Sequence, residues 1–131
     1  MKDLLLSLFL PAYLKVSLFM MDTPKHIASC LNNGYTRVLS QLFVHNIELH
    51  LLGETNIGMT NVIAALQGFF QSQVVYYFTA IQSNVRKKDG YLVGILNTQK
   101  NKYHVYVLMQ QHNNRLLIHK IRIEHSNGSL N

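Results

Sequence analysis

Histidine is the side chain with which this chain could most readily carry out acid–base chemistry, since there are seven histidines and only six Asp and Glu residues. Alternation along the segment 115–124 places His119 on the same apolar row as Leu117 and Ile121. A histidine on such a row either acts on a ligand in a cavity or is a core histidine with a hydrogen-bond partner. The second interpretation is favoured, because no carboxylate shares the row to orient the ring.

Metal-binding and nucleophilic side chains do not form a recognisable pattern. No His-x-His or His-Glu-x-x-His motif occurs, and His45 and His50 lie on either side of the start of a predicted strand. Cys30 is the single cysteine, which excludes an internal disulfide and a cysteine-based zinc or iron–sulfur site. The sequence therefore predicts no metal, no cofactor and no set of catalytic residues.

A sheet is the element expected to position most of these residues, because the pattern from residue 74 onward alternates with a period of two. Hairpin-sized links separate four predicted strands, at 74–85, 91–98, 102–110 and 115–124. A further strand is predicted earlier, at 47–51, followed by a turn-rich link over 53–58. The last four strands are expected to form an antiparallel meander.

Helical patterns precede the meander. Asp22-Thr23-Pro24 is typical of a helix start, and Asn32-Asn33-Gly34 is typical of a helix end. A short second helix is predicted over 35–43, and a third is predicted to be capped by Thr60. The predicted fold is α+β, with N-terminal helices packed on a curved antiparallel sheet in the order helix, helix, strand, helix, then four strands.

Residues 1–21 differ in composition from the rest and are predicted to be an apolar leader, which leaves a single domain at 22–131. Lys2 precedes an apolar run over 4–14, as in the basic start and apolar middle of a secretory signal. Lys15 and the lack of small residues before Asp22 depart from that pattern. Lys15 also argues against a stable membrane span, since the stretch is barely long enough to cross a bilayer.

Three interpretations of the leader remain open. It is a degenerate export signal, or translation begins at Met20 or Met21, or it is a helix that packs on the domain. The first predicts an exported or periplasmic protein, and the second predicts a cytoplasmic one.

Overall composition narrows the function classes. The 131 residues are enough for one domain, and a hydrophobic content of 48% excludes a disordered chain. The formal net charge of +6 comes from scattered residues, apart from Arg86-Lys87-Lys88, which precedes the Asp89-Gly90 turn. That run is interpreted as a solvated hairpin tip, and no RNA-binding, zinc-finger or helix-turn-helix motif accompanies it. Nucleic acid is therefore not the expected partner.

Several segments, in this order and spacing, resemble one family. They are Asp22-Thr23-Pro24, Ile47-Glu48-Leu49, Phe69-Phe70, the segments 93–98 and 103–106, and above all Leu117-Ile118-His119-Lys120-Ile121-Arg122-Ile123-Glu124. The family consists of short bacterial proteins with a domain of unknown function in the nuclear-transport-factor-2-like (cystatin-like cone) superfamily. The resemblance covers about residues 22–125 and implies a cone fold. Its members usually carry an export signal, and no activity is assigned to them.

Cone folds of this class often bind a small molecule between sheet and helices. The resemblance therefore implies a small apolar ligand, with His119, Tyr106, Phe70 and Tyr77 as candidates for lining its cavity. Catalytic cone folds tend to use an aspartate base. Here Asp3 is in the leader, while Asp22 and Asp89 have predicted structural roles. An enzyme acting through a cavity histidine on a small apolar substrate is the alternative hypothesis.

An aromatic sheet indicates a protein partner. Both faces of the first long strand are partly apolar, with Tyr76 and Phe78 on one side and Tyr77 and Ile81 on the other. An apolar outer face on an antiparallel sheet usually has something covering it. Because cone-fold domains commonly dimerise through the sheet, the first hypothesis is a non-catalytic domain that binds a small apolar ligand or a protein partner as a homodimer. The alternative is a monomer whose leader covers that face.

Overall fold

The structure, a computed structural model, describes residues 12–126, and its side chains are described from residue 23 onward. Three helices and six strands occupy this range. They are α1 (Ala12–Asn33), α2 (Thr36–Ser40), β1 (Phe43–Leu51), β2 (Glu54–Ile57), α3 (Met59–Gln71), β3 (Val75–Val85), β4 (Asp89–Thr98), β5 (Lys102–His112) and β6 (Arg115–His125). The α+β class and the order of helices followed by a four-strand meander are confirmed.

All six strands form one sheet, in the order β2-β1-β6-β5-β4-β3. Neighbouring strands are antiparallel with one exception, since β1 and β6 run parallel. The predicted link over 53–58 contains β2, a short strand that pairs with β1 through a tight turn at Leu52 and Gly53, both with positive φ. The alternation rule missed β2 because it has only four residues.

Helix α1 is longer than predicted. It runs from Ala12 to Asn33 with Pro24 inside it, so the predicted helix start at Asp22-Thr23-Pro24 is wrong. Proline fits a first turn, but a long helix can also accommodate it at the loss of one backbone hydrogen bond. The first half of the predicted leader, residues 1–11, lies outside the described residues. No helix within the described range is both long and apolar enough to cross a membrane.

The end of α1 follows the prediction. Gly34 has a φ of +66°, and its N–H donates to the carbonyl of Leu31, while the N–H of Tyr35 donates to the carbonyl of Cys30. These two bonds are those of the Schellman motif, which satisfies the free carbonyls at a helix end. Helix α2 ends at Ser40, earlier than predicted, because Phe43 already belongs to β1. Helix α3 follows Gly58, with a φ of 92°, and Thr60 lies within its first turn rather than capping it.

The core lies between the helices and the inner face of the sheet, which is the face toward α1 and α3. Alternate residues of the four central strands point into it and are exposed by at most 2%: Leu49, Leu92, Leu96, Tyr103, Val105, Val107, Met109, Leu116, Ile118, Ile121 and Ile123. Ile27 and Leu31 of α1 and Val62 and Leu66 of α3 meet them, fully buried. Irregularities in β1, β3 and β6 interrupt the register, and such bulges bend a sheet.

Candidate functional site

A bulge in β6 determines where His119 lies. Ile118 pairs with Met109 and Lys120 pairs with Leu108, so His119 is an extra residue between two registers. Ile118 and Ile121 are both fully buried, which means that the inward row changes parity at this point. The prediction that His119 shares the row of Ile121 and Ile123 is therefore wrong, because strict alternation does not account for a bulge. His119 lies with Lys120 on the outer face.

The surroundings of His119 form a shallow cleft of about 270 Å³ at the hairpin end of the sheet. Arg86, Asp89, Tyr91 and Leu108 are among its lining residues. Partial burial is the main reason that the pKa of His119 is lowered, and the charges of Lys120 and His112 lower it further. In the described part of the chain no side chain hydrogen-bonds the His119 ring, so nothing fixes its tautomer as a catalytic base requires.

The other three candidate cavity residues lie apart from one another. Tyr106 is on the outer face, half-buried, with its ring 6.3 Å from that of His104. Tyr77 is on the outer face of the edge strand β3 and is 51% exposed. Phe70 is on α3, edge-on to Phe69, on the opposite side of the molecule from the outer face. The structure therefore does not bring His119, Tyr106, Phe70 and Tyr77 into one cavity.

The outer face instead carries an apolar strip across the central strands. Its members are half-buried except Leu108, which is 38% exposed: Tyr91, Val93, Ile95, Tyr106, Leu108 and Leu117. Register places Tyr91 beside Leu108 and Val93 beside Tyr106, so the strip is continuous from β4 to β5. Gln82 Nε2 donates to Tyr91 Oη at 2.9 Å and fixes that ring on the face. We call this set the outer apolar strip.

Two flanks border the strip and differ in charge. The charged flank is formed on β1 and β6 by Glu48, Lys120, Arg122 and Glu124. The neutral flank is formed on β3 by Tyr77, Thr79, Gln82 and Asn84, which register pairs with the outward residues of β4. Glu48 is part-exposed, with 36% of its side-chain surface accessible to solvent. Opposite charges form two pairs within the charged flank, with Lys120 Nζ 3.5 Å from Glu48 Oε2 and Arg122 Nε 3.5 Å from Glu124 Oε1.

Glu48 also hydrogen-bonds His50 Nε2, and Thr55 Oγ1 lies 3.2 Å from His50 Nδ1. The bond from His50 is the main reason that the pKa of Glu48 is lowered, with a smaller contribution from Lys120. A hydroxyl, an imidazole and a carboxylate in this order resemble a nucleophile, its base and an orienting acid. The three groups lie on the open sheet rather than in a concave site with donors for an oxyanion. We therefore interpret Glu48, His50 and Thr55 as part of the charge pattern of the charged flank, and not as catalytic groups.

A buried polar group that the sequence analysis missed lies where α3 meets the sheet. Gln73 Oε1 accepts from Thr98 Oγ1 at 2.6 Å and from Tyr103 Oη at 2.8 Å. Tyr103 is 2% exposed, so its hydroxyl needs this partner. The sequence contains two amide-rich segments, 32–33 and 71–73, that could have drawn attention to this group. Only the fold shows that the two segments lie close together.

The described residues contain no group of side chains suited to binding a metal ion and no thiol suited to reaction. No three His, Cys, Asp or Glu side chains among them are arranged to hold a metal ion. Cys30 is 3% exposed, and burial raises the pKa of its thiol, which disfavours the reactive thiolate.

Comparisons with known proteins identify relatives of the fold. A family model described as a domain of unknown function (DUF4783) matches residues 24–124. The crystal structure of a DUF4783 family protein from Bacteroides uniformis is 20% identical, with a TM-score of 0.76 over 79% of this chain and 96% of that one. No curated protein matches the sequence significantly.

More distant structures share the architecture. A bacterial protein with a cystatin-like fold from Silicibacter pomeroyi is 17% identical, with a TM-score of 0.60 over 81% of this chain and 74% of that one. A putative polyketide cyclase from Sinorhizobium meliloti is 12% identical, with a TM-score of 0.58 over 90% of this chain and 98% of that one. At these identities the similarity is one of fold, and it confirms the predicted cone fold.

Proposed function

The chain belongs to the DUF4783 family, and from this premise we propose that it is a non-catalytic cone-fold domain that forms a homodimer through the outer face of its sheet. The observation that carries the proposal is the outer apolar strip. The strip lies on β4, β5 and β6, on the face of the sheet away from the helices. Such a face would normally be polar. Apolar area in a continuous patch on a solvated face is typical of an interaction site.

The size of the face suits a dimer. The four long strands from β6 to β3 span about 19 Å by about 35 Å at ordinary strand spacing and rise, or roughly 650 Å² of flat area. A stable interface buries about 800 Å² per partner, and side chains make the accessible area larger than the flat one. The strip forms the centre of this area, and polar flanks form its rim, as in most protein interfaces.

The charge pattern favours a second copy of the chain as the partner. A two-fold axis along the strands would place the charged flank of one copy opposite the neutral flank of the other. Like charges would then not oppose each other, and Gln82 and Asn84 could hydrogen-bond Lys120 or Glu124 of the other copy. An unrelated partner would need a complementary flank of its own.

Size-exclusion chromatography with light scattering tests the proposal. The wild-type chain is expected to have twice the mass of one chain, and Leu108→Lys is expected to shift it to a monomer, because a buried lysine in the strip would be unpaired. Val38→Lys is the matched control, since Val38 is 37% exposed on α2 and Leu108 is 38% exposed on β5. The control is expected to remain dimeric. A monomeric wild type would refute the proposal, and so would a Leu108→Lys protein that remains a dimer while folded.

A further inference from the structure

A separate cleft lies on the helix side of the molecule, away from the outer face. It is bounded by the ends of α1 and α3, the start of β3 and the turn between β4 and β5, and its volume is about 490 Å³. Carboxamide side chains make up much of its lining: Asn32, Asn33, Gln71, Gln73 and Gln99. We call it the carboxamide cleft. Of the described residues that line it, none is charged.

Gln73 is fixed by the fold in an orientation suited to donating. It is only 7% exposed, and its Oε1 accepts from the buried hydroxyls of Thr98 and Tyr103. Thr98 Oγ1 itself accepts from the backbone N–H groups of Lys100 and Asn101, at 3.2 and 3.1 Å, so it donates its own proton to the amide. The amide atom that it contacts is therefore the oxygen, and the NH₂ group lies on the other side. Across residues 23–126, no protein atom accepts a hydrogen bond from Gln73 Nε2. Since Gln73 lines the cleft, this NH₂ group is available to donate to a ligand there.

Asn32, at the end of α1, is also oriented by the fold, although it is exposed. Its Oδ1 accepts from the backbone N–H of Phe78 at 2.9 Å, so its Nδ2 is left as a donor. Next to it, Asn33 Nδ2 donates to the carbonyl of Ser29 at 2.8 Å, which leaves its Oδ1 as an acceptor. The fold thus orients two donor groups and one acceptor before any ligand arrives, which lowers the entropic cost of binding.

Aromatic rings supply the apolar part of the cleft. Phe70 and Tyr76 line it, and Tyr76 is 62% exposed at an irregular position of β3. Sugars combine hydroxyl groups, which both donate and accept, with an apolar face of C–H groups that packs against aromatic rings. The neutral lining offers no opposite charge to a phosphate, carboxylate or ammonium group. We propose that the carboxamide cleft binds a neutral saccharide, with the Gln73 and Asn32 amides donating to its oxygens.

This inference is independent of the dimer, because the cleft is on the opposite side of the sheet from the outer apolar strip. It also differs in ligand class from the small apolar ligand that the sequence predicted. The amides that form the site are side-chain NH₂ groups, which give their own signals in a ¹H–¹⁵N correlation spectrum. Binding can therefore be read at the proposed donors themselves.

The test is an NMR titration of the full, ¹⁵N-labelled chain with glucose, galactose, mannose, N-acetylglucosamine, maltose and cellobiose in turn. At least one of these probes is expected to shift the side-chain signals of Gln73 and Asn32 in a saturable way. A blocked neutral peptide, N-acetyl-trialanine amide, is run in parallel. The proposal would be overturned if no saccharide shifted the two signals, or if the peptide shifted them and the sugars did not.

Near-isosteric variants provide the second arm. Asn32→Asp and Gln73→Glu keep the oxygens that the fold uses and remove the donors, so each is expected to weaken saccharide binding by about threefold or more. Asn113→Asp is the matched control, since it adds the same charge at the exposed turn between β5 and β6, outside the cleft lining, and should leave binding unchanged. Tyr76→Ala removes the exposed ring without touching the buried group, in case Gln73→Glu does not fold. Equal affinity in Asn32→Asp, Tyr76→Ala and wild type would contradict the assignment.

Discussion

A single extra residue in β6 changes the chemical character of His119. Without the bulge, its ring would lie among the isoleucines of the core. With the bulge, it lies at the end of the outer apolar strip, next to Leu108 and close to the positive charge of Lys120. A half-buried imidazole beside a lysine is destabilised in its protonated form. His119 is therefore a group whose protonation opposes folding, and an interface covering it would increase that effect.

Acidification is expected to destabilise the protein partly through His119. Because the pKa of His119 is lowered from 6.5 in the folded protein, the unfolded chain takes up the proton first. The corresponding stability is complete above about pH 6.5 and is lost as the pH falls through the lowered pKa. We expect His119→Gln to lose less free energy of unfolding than wild type between about pH 7.5 and about pH 5, measured by urea denaturation. Equal losses in the two proteins would show that His119 does not contribute.

At the scale of elements, one contact between the paired strands β3 and β4 is especially close. A Cβ added at Gly94 would lie 2.3 Å from Phe78 Cζ and 2.5 Å from the carbonyl oxygen of Thr79. The Phe78 ring therefore crosses directly over Gly94 to reach the core, while the Phe78 N–H is bonded to Asn32. An aromatic ring packed over a glycine on the neighbouring strand adds to the backbone pairing that holds the edge strand β3 on β4.

Gly94→Ala is expected to lower the free energy of unfolding by about 2–3 kcal/mol, because the methyl group would displace both the ring and a backbone carbonyl. Gly68→Ala is the contrasting control. Gly68 lies in α3 with nothing within 4 Å of its added Cβ, so alanine there should stabilise the helix by about 0.5–1 kcal/mol. Thermal or urea unfolding of the two variants measures both effects. A Gly94→Ala protein as stable as wild type would mean that β3 can shift away from β4 without cost.

The elements that sequence reasoning predicted well are those whose signals are local. Alternation and hairpin turns located β3 to β6 to within a few residues, and Gly34 marked the end of α1. Features that depend on distant partners were missed. The bulge at His119 arises from pairing with β5, and β2 exists because β1 offers it an edge. The carboxamide cleft requires α1, α3 and the β4–β5 turn to meet, which no single segment encodes.

At the scale of the whole molecule, we expect the domain to fold when residues 1–21 are removed. The family model begins at residue 24, and α1 retains Ile27, Cys30 and Leu31 in the core when its first turns are removed. We expect a chain of residues 22–131 to unfold cooperatively, with a Tm within a few degrees of the full chain, as measured by circular dichroism. Loss of the cooperative transition would show that the earlier turns of α1 complete the core, in contradiction to the predicted domain boundary.

The parallel pairing of β1 with β6 determines how far the chain can fold while it is being synthesised. In chain order β6 is the last strand of the sheet, yet it lies at its centre, between β1 and β5. Until β6 emerges from the ribosome, the nascent chain has two separate half-sheets, β1–β2 and β3–β5, with apolar inner faces and open edges. Contacts this distant in sequence form late and slowly. The growing chain therefore lacks a complete core until β6 has been made, and chaperones that hold incompletely folded polypeptides have that interval in which to bind it.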